Sequence, residues 1–501
     1  MPLSHPYYKD LLALSSGFLF TLAFAPFNYA YLALIALSLL FYSWQNCSVK
    51  RAVIRGYLFG LSSFGLGVTW VYISIHDFGG ADVLIAGGLS ITFAAFWALF
   101  PAMAGGLIVF SQGFCKQRYQ FLIMPIVWIL IDYWRGYLIL NGFPWLLCAY
   151  SQLSTPLAGY IPILGAYGTG FLLALTASLM ILAWQTKNKL VMSLIISIWL
   201  IGAGLKTITW THSIGEPLKV TLIQGNITQD KKWKPENRLN TLLLYKRQTE
   251  AHWDSQIIVW PETAIPAFLE AVDEFFLQPL KQQALAHNTD LIVSLPAQGN
   301  SETEVYNAVI TLGKESGMYR KNHLLPFGEY LPWQPVSGFV LKTIGMRLGS
   351  FTAGGDNQPL LKAGGYNFIT SICYEDAFGD ANIAGLNNAA YLVNVTNDGW
   401  FGDSIEPHQH LQIAQMRSLE TGRFMLRSTN TGATAIIAPD GSIQSQAPLF
   451  TETALTGTIT PMGGVTPYSY LGDKPIIIIL LLAFIGLLIN GYLALQNKNN
   501  H

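Results

Sequence analysis

Three side chains in the C-terminal half of the sequence could together run nucleophilic chemistry at a thiol: Glu262 in QIIVWPETAIP, Lys321 in GMYRKNHLLPFGEYLP and Cys373 in YNFITSICYEDAFGD. A thiol nucleophile needs a base to take its proton and a positive group to meet the negative charge that develops during attack. Taken singly, each residue has an ordinary reading. A Glu or Lys near a turn is mostly a solvated charge, and a lone Cys is mostly a buried, inert one. The order Glu, Lys, Cys, each leaving a strand-like run, is more specific, because strand ends are where a sheet presents side chains to a cleft. By proximity in sequence Glu375 is the natural first candidate for the base, while Glu262 and Lys321 offer a base and a positive group from other strand ends.

The elements that must position these groups form an alternating pattern. Short β-branched runs at 220 to 224, 256 to 260, 291 to 296, 368 to 373, 390 to 396 and 434 to 439 alternate with amphipathic stretches at 237 to 251, 268 to 287 and 405 to 425. This predicts one α/β domain with a buried sheet, at about 213 to 470. Of the four cysteines, Cys47, Cys115 and Cys148 fall outside it, so Cys373 has no partner within its own domain. His408 and His410 in EPHQH are read as a helix face rather than a metal site, because no Cys or carboxylate pair nearby in sequence completes one.

The rest of the chain is of another kind. Hydrophobic residues make up 51% and charged residues 12% of the sequence, against about a quarter charged in soluble domains. That balance points to a membrane protein. The formal net charge is zero, which gives no argument for nucleic acid or acidic partners. Candidate spans run about 10 to 26, 29 to 44, 53 to 75, 83 to 110, 120 to 137, 160 to 184, 190 to 205 and 475 to 495, which predicts a bundle of about eight helices. The second and seventh are short, and the fourth is interrupted by Pro101 and Gly105-Gly106. The first is read as a retained helix rather than a signal peptide. Lys50, Arg51, Arg55, Lys116, Arg118, Lys187 and Lys189 follow even-numbered spans, which places those loops and both termini in the cytoplasm and the α/β domain outside it. The expected organisation is a transmembrane bundle at 1 to 212, a catalytic domain at 213 to 470, and a last helix and tail at 471 to 501. Asp132 and Arg135, near the end of the fifth span, pair or snorkel, and GAYGTG (165 to 170) is read as helix packing.

WPET, the Lys321 segment and ICYED resemble the Glu-Lys-Cys triad of the nitrilase (carbon-nitrogen hydrolase) superfamily, whose fold is an αββα sandwich. PFGEYLP, NVTNDGWFG (394 to 402) and NGFPWLLCAYSQ (141 to 152), together with the membrane spans, narrow the resemblance to the apolipoprotein N-acyltransferase family of the bacterial inner membrane. The resemblance implies Glu262 as general base, Lys321 as the positive group and Cys373 as nucleophile. It implies supporting roles for Glu329, Tyr374 and Glu375, and places Trp233 and Asn307 near the site. Trp233 also reads as a surface-loop aromatic, and Asn307 as a turn residue opening a strand.

By the same resemblance, a phospholipid, with phosphatidylethanolamine expected, donates an acyl chain to Cys373 as a thioester. The α-amine of a diacylglyceryl-cysteine apolipoprotein then takes it. No cofactor or metal, no nucleic acid and a monomeric enzyme are expected. Both substrates live in the bilayer, so the cleft is expected to open toward the membrane. Trp333, Phe339, Val340 and Leu341, with Trp400 and Phe401, are candidate lipid-facing loop residues, and Gly338, Gly345, Gly349, Gly354 and Gly355 would keep the first loop mobile. The triad alone leaves two rivals open: a membrane-anchored amidase, because water could replace the amine, and a non-enzymatic lipoprotein-binding scaffold.

Overall fold

In the computed structural model, which describes residues 7–115, 119–301, 303–333, 338 and 350–499, the chain divides into two units. The first holds residues up to 72, 83–209 and from 471 onward; the second holds 73–82 and 210–470. Residues 73–82, expected within the membrane part, therefore cluster with the α/β unit. Lys116, Arg118, Phe339, Val340, Leu341, Gly345 and Gly349 lie outside the described residues.

Helices of the first unit occupy the expected spans: Tyr8–Thr21, Tyr31–Trp44, Val49–Gly67, Val83–Gln112, Gln120–Tyr137, Ile161–Thr186, Lys189–Leu205 and Lys474–Asn499. By length and composition three of the described helices could each cross a membrane, or four if Val49–Gly67 and Trp70–Phe78, bent by 55°, count as one span. Tyr31–Trp44 and Lys189–Leu205 are shorter apolar helices. The anticipated break at Pro101 does not occur, and Val83–Gln112 is continuous through it. Gly56 and Gly60 explain how that helix is approached. A Cβ at Gly56 would lie 2.2 Å from the Pro101 carbonyl oxygen, and one at Gly60 would lie 2.6 Å from the Ala98 Cα. Small residues four apart let two backbones touch where apolar surroundings provide no hydrophobic drive. Asp132 and Arg135 do pair, at 3.0 Å and buried, and Arg135 also donates to the carbonyl oxygens of Phe143 and Trp145. In GAYGTG, Gly170 lets Cys148 and Ile129 approach closely, while Gly165 takes a left-handed φ of 63° and bends its helix.

The second unit is a four-layer sandwich. Its strands are β1 (Thr211–Ser213), β2 (Leu218–Gln224), β3 (Ile257–Val259), β4 (Asp290–Gln298), β5 (Val305–Leu312), β6 (Gly317–Arg320), β7 (Leu361–Ala363), β8 (Tyr366–Ile372), β9 (Tyr391–Thr396), β10 (Met425–Thr429), β11 (Ala435–Ile437), β12 (Ile443–Gln446), β13 (Thr453–Ile459) and β14 (Met462–Gly464). One sheet has the order β13-β2-β3-β4-β5-β6 and the other β12-β11-β10-β9-β8-β7. In each, three parallel strands sit among antiparallel neighbours: β2, β3 and β4 in the first, β8, β9 and β10 in the second. The β7–β8 hairpin closes on Gly364-Gly365, both at positive φ, as a two-residue turn of the favoured hand requires.

Alternation along the strands builds the layers. Val220, Leu222, Ile257 and Val259 of one sheet meet Phe368, Ile372, Tyr391, Val393 and Val395 of the other in a core between the sheets. Ile223, Ile258, Leu291 and Val293 face outward and are covered by Leu242 and Tyr245 of helix Pro235–Glu250 and by Leu280 and Ala284 of helix Gln278–Ala286. On the other side, Ile369, Leu392 and Met425 are covered by Leu411 and Ala414 of helix Glu406–Thr421. Both faces of each sheet are thus buried, which is why the parallel strands read as continuous apolar runs. The expected helix 268 to 287 is interrupted by a wide turn at Asp273–Leu277, and the expected helix 405 to 425 stops at Thr421, where Gly422 (φ 62°) caps it. Removing a side chain from between the sheets should destabilise this unit strongly: Leu222→Ala is expected to cost about 2–5 kcal/mol, measured as a lower apparent thermal midpoint of the detergent-solubilised protein.

Candidate active site

The three candidate groups each follow a strand end. Cys373 comes directly after β8, Lys321 directly after β6, and Glu262 lies in the turn after β3. The turn carrying Glu262 is fixed by Thr263, which has a left-handed φ of 47° and donates its N–H to Ser294 Oγ at 3.0 Å. Cys373 itself has φ 53°, a conformation that costs energy for any residue with a Cβ and is held only where surrounding structure enforces it. It opens a tight turn, Cys373–Ala377.

Glu375 enforces that turn. One carboxylate oxygen accepts the N–H of Ile372 at 2.8 Å, while the other accepts the N–H groups of Asn322 at 2.7 Å and His323 at 2.9 Å. The Tyr319 hydroxyl donates to both, at 3.0 and 3.1 Å. Tyr319 lies in β6 of the opposite sheet and Asn322 just past its end, on either side of Lys321, so Glu375 fixes the lysine segment relative to the cysteine turn. It is not placed as a base, since its lone pairs are already taken.

Glu262 and Lys321 are linked through Glu329 and Asn307. Lys321 Nζ pairs with Glu329 Oε2 at 2.8 Å, with the lysine 1% exposed. Asn307 Nδ2 donates to Glu262 Oε1 at 2.7 Å and reaches Glu329 Oε1 at 3.3 Å. The second oxygen of Glu262 receives no hydrogen bond among the described residues and is available to take a proton. Asn307 is the third residue of β5 rather than a turn residue at its start. Burial pushes the Glu262 carboxyl up, against the opposing pull of Lys321. Burial, then Glu262, pushes the Cys373 thiol up to about 12, with Lys321 opposing. The resting sulfur is therefore a thiol, and its proton must leave during attack rather than before it. Lys321 is held charged: burial opposes its charge, but Glu329, then Cys373 and Glu262, outweigh that cost.

The remaining candidates are distributed more loosely. Tyr374 is buried, edge-on to Phe378. Trp233 is 48% and Trp333 66% exposed. Trp400 is 41% exposed and leans edge-on against Phe78, from the 73–82 segment, at 6.0 Å between centroids.

His410 lies on the buried face of its helix. It is 2% exposed, and carboxylates surround it: Asp376, from the cysteine turn, at 2.9 Å from Nε2, and Asp398 and Glu406, the latter one helical turn earlier, at 3.0 and 3.3 Å from Nδ1. Arg427, from β10, donates to Asp376 at 3.0 Å and to Asn394 Oδ1 at 2.6 Å, and reaches Asp398 at 3.4 Å. Asp398, Glu406 and His410 could offer atoms to a metal ion, but the guanidinium of Arg427, paired with Asp398 of that group and with Asp376, makes this an ion-pair network rather than a cation site. Because Asp376 belongs to the cysteine turn, and Asn394 Nδ2 also reaches the Cys373 carbonyl oxygen at 3.4 Å, the network braces the Cys373 turn from behind. A visible signal was Arg427 inside the apolar run FMLRST, since a charge in a buried strand must have partners.

Comparison with known proteins now decides the family. Residues 16–179 match the apolipoprotein N-acyltransferase N-terminal domain, and residues 219–468 match the carbon-nitrogen hydrolase family. The apolipoprotein N-acyltransferase of Methylococcus capsulatus is 49% identical over 473 residues, covering 93% of each chain. The chain belongs to the apolipoprotein N-acyltransferase family. The enzymes of that name from Nitrosomonas europaea and Coxiella burnetii are each 39% identical, covering 96% and 95% of this chain and 96% and 100% of their own. Among solved structures, Saccharomyces cerevisiae Nit3, a nitrilase superfamily member, aligns with 52% of this chain and 96% of its own at 15% identity and a TM-score of 0.38.

The buried network has a consequence for pH. Burial, then Asp398, pushes the Glu406 carboxyl up to about 7, with His410 and Arg427 opposing. The folded chain therefore holds this proton more tightly than the unfolded one, and stability is lost as pH rises from the ordinary carboxylate range through about 7. Glu406→Gln should lessen that loss: between about pH 5 and about pH 8 its thermal midpoint should fall less than that of the wild type.

Proposed function

We propose that this chain is a multi-pass enzyme of the bacterial inner membrane that moves a fatty acyl chain from a membrane phospholipid, through a thioester on Cys373, to the α-amine of a diacylglyceryl-cysteine apolipoprotein. The observation that carries the reading is the continuous hydrogen-bonded chain Lys321–Glu329–Asn307–Glu262 beside a strained cysteine turn, in a chain whose full-length relatives bear the acyltransferase name. The α/β unit is assigned to the periplasm and both termini to the cytoplasm, on the distribution of Lys and Arg among the loops. Phosphatidylethanolamine is the proposed donor, and a monomer the proposed working form.

In the first half-reaction Glu262 takes the thiol proton as Cys373 Sγ attacks the ester carbonyl. Lys321 meets the negative charge on the carbonyl oxygen of the tetrahedral intermediate. The intermediate collapses, breaking the ester C–O bond, and Glu262 returns the proton to the departing lysophospholipid oxygen. In the second half the neutral amine attacks the thioester carbonyl and gives its proton to Glu262. The C–S bond breaks, the proton goes to sulfur, and the amide product leaves. Glu262 thus acts alternately as base and acid, which a carboxyl lifted by burial does better than an exposed one.

Intact-protein mass spectrometry after incubation with phospholipid alone should show one acyl adduct on the wild type and none on Cys373→Ala. Glu262→Gln should form the adduct roughly 10²- to 10⁴-fold more slowly, the usual share of a general base. Release of free fatty acid or hydrolysis of small amides, without acylation of an added diacylated lipopeptide, would favour an amidase instead.

A further inference from the structure

Lys232, next to the tryptophan that the sequence singles out, is the buried member of the QDKKW run. It is 2% exposed, although Asp230 and Lys231 before it are exposed. Its Nζ donates to the carbonyl oxygen of Glu262 at 3.0 Å, and it enters no ion pair among the described residues. An ammonium buried without a carboxylate is costly unless nearby negative charge compensates it.

The segment that carries it is held independently of this bond. Ile227 exchanges hydrogen bonds with the Asn430 side chain at 3.0 and 2.7 Å, and Gln229 Oε1 accepts from Asn397 Nδ2 at 3.0 Å. Both asparagines follow strands of the opposite sheet, so Lys232 is directed at Glu262 by the fold.

The charges facing it can be counted. Lys321 is matched by its contact with Glu329. Glu262 is then left without a side-chain cation of its own in hydrogen-bond contact, and Lys232 sits on its backbone. We propose that Lys232 is a positioning residue for acyl transfer: its ammonium fixes the backbone of the base and balances the negative charge that passes from the Glu262 carboxylate to the reacting sulfur and carbonyl oxygen. This rests on the proposed roles of Glu262 and Cys373. Burial lowers the Lys232 ammonium to about 8, with Glu262 and Cys373 opposing, so its charge is lost just above neutrality. In the other direction, Lys232 and Lys321 both favour the ionised form of Glu262.

The test uses the full-length detergent-solubilised enzyme and a single-turnover rate of acyl-adduct formation from phospholipid, followed by mass spectrometry as pH is varied. Lys232→Met should lower the maximal rate roughly 10- to 100-fold and move the acid limb, where Glu262 must ionise, to higher pH. Lys232→Arg should keep most of the rate and extend the alkaline limb, because a guanidinium does not lose its charge there. Lys232→Gln reads the same acid limb if the Met variant fails to fold. The inference is overturned if folded neutral variants keep the wild-type rate, or lose rate with an unmoved acid limb while Arg is no better than Met. If the wild type forms no adduct at all, the assignment of Cys373 fails first, so the two failures are distinguishable.

Discussion

The site depends on one carboxylate that belongs to neither the base nor the nucleophile. Glu375 collects three backbone N–H groups and a phenol, from both sides of the inter-sheet core. The two sheets pack through apolar side chains, which are non-directional and set no register at the level of a hydrogen bond. The carboxylate supplies that missing direction. Other hydrogen bonds join the sheets elsewhere, such as those of Ser428 to the Ile223 and Val259 carbonyl oxygens, but Glu375 is the group that ties the Lys321 segment directly to the Cys373 turn.

Around this clamp the polar groups divide by task. Asn307 and Glu329 orient Glu262 and Lys321, while Asp376, His410 and Arg427 secure the turn from the far side. The division follows from geometry. A strand end exposes a side chain to the cleft, but the backbone that aims it lies a layer deeper, and every buried polar group there must find a partner.

Much of this was legible in the sequence, because the signals were local. The apolar runs before Glu262 and Cys373 marked strands, and the helices of the first unit lie close to the expected spans. Edge strands such as Leu361–Ala363 and Ile443–Gln446 were not seen, since three or four residues carry too little alternation to stand out. That Glu375 supports the site was expected, but not how, because nothing along the chain shows that Asn322 and His323 will approach it. The setting of His410 was hidden for the same reason: of its carboxylate neighbours only Glu406 shares its helix, while Asp376 and Asp398 are brought in by the fold. Trp233 drew attention as an aromatic, whereas the buried residue was the lysine beside it, on the inward side of a single helical turn.

The protonated resting state of Cys373 has a meaning beyond catalysis. Peroxides and foreign disulfides attack thiolates, not thiols. A sulfur that gives up its proton only to a partner within the site is therefore a poor target for either. Cys373 is only half-buried, yet the surroundings that hold its proton keep this solitary sulfur less reactive toward such agents than a thiolate would be.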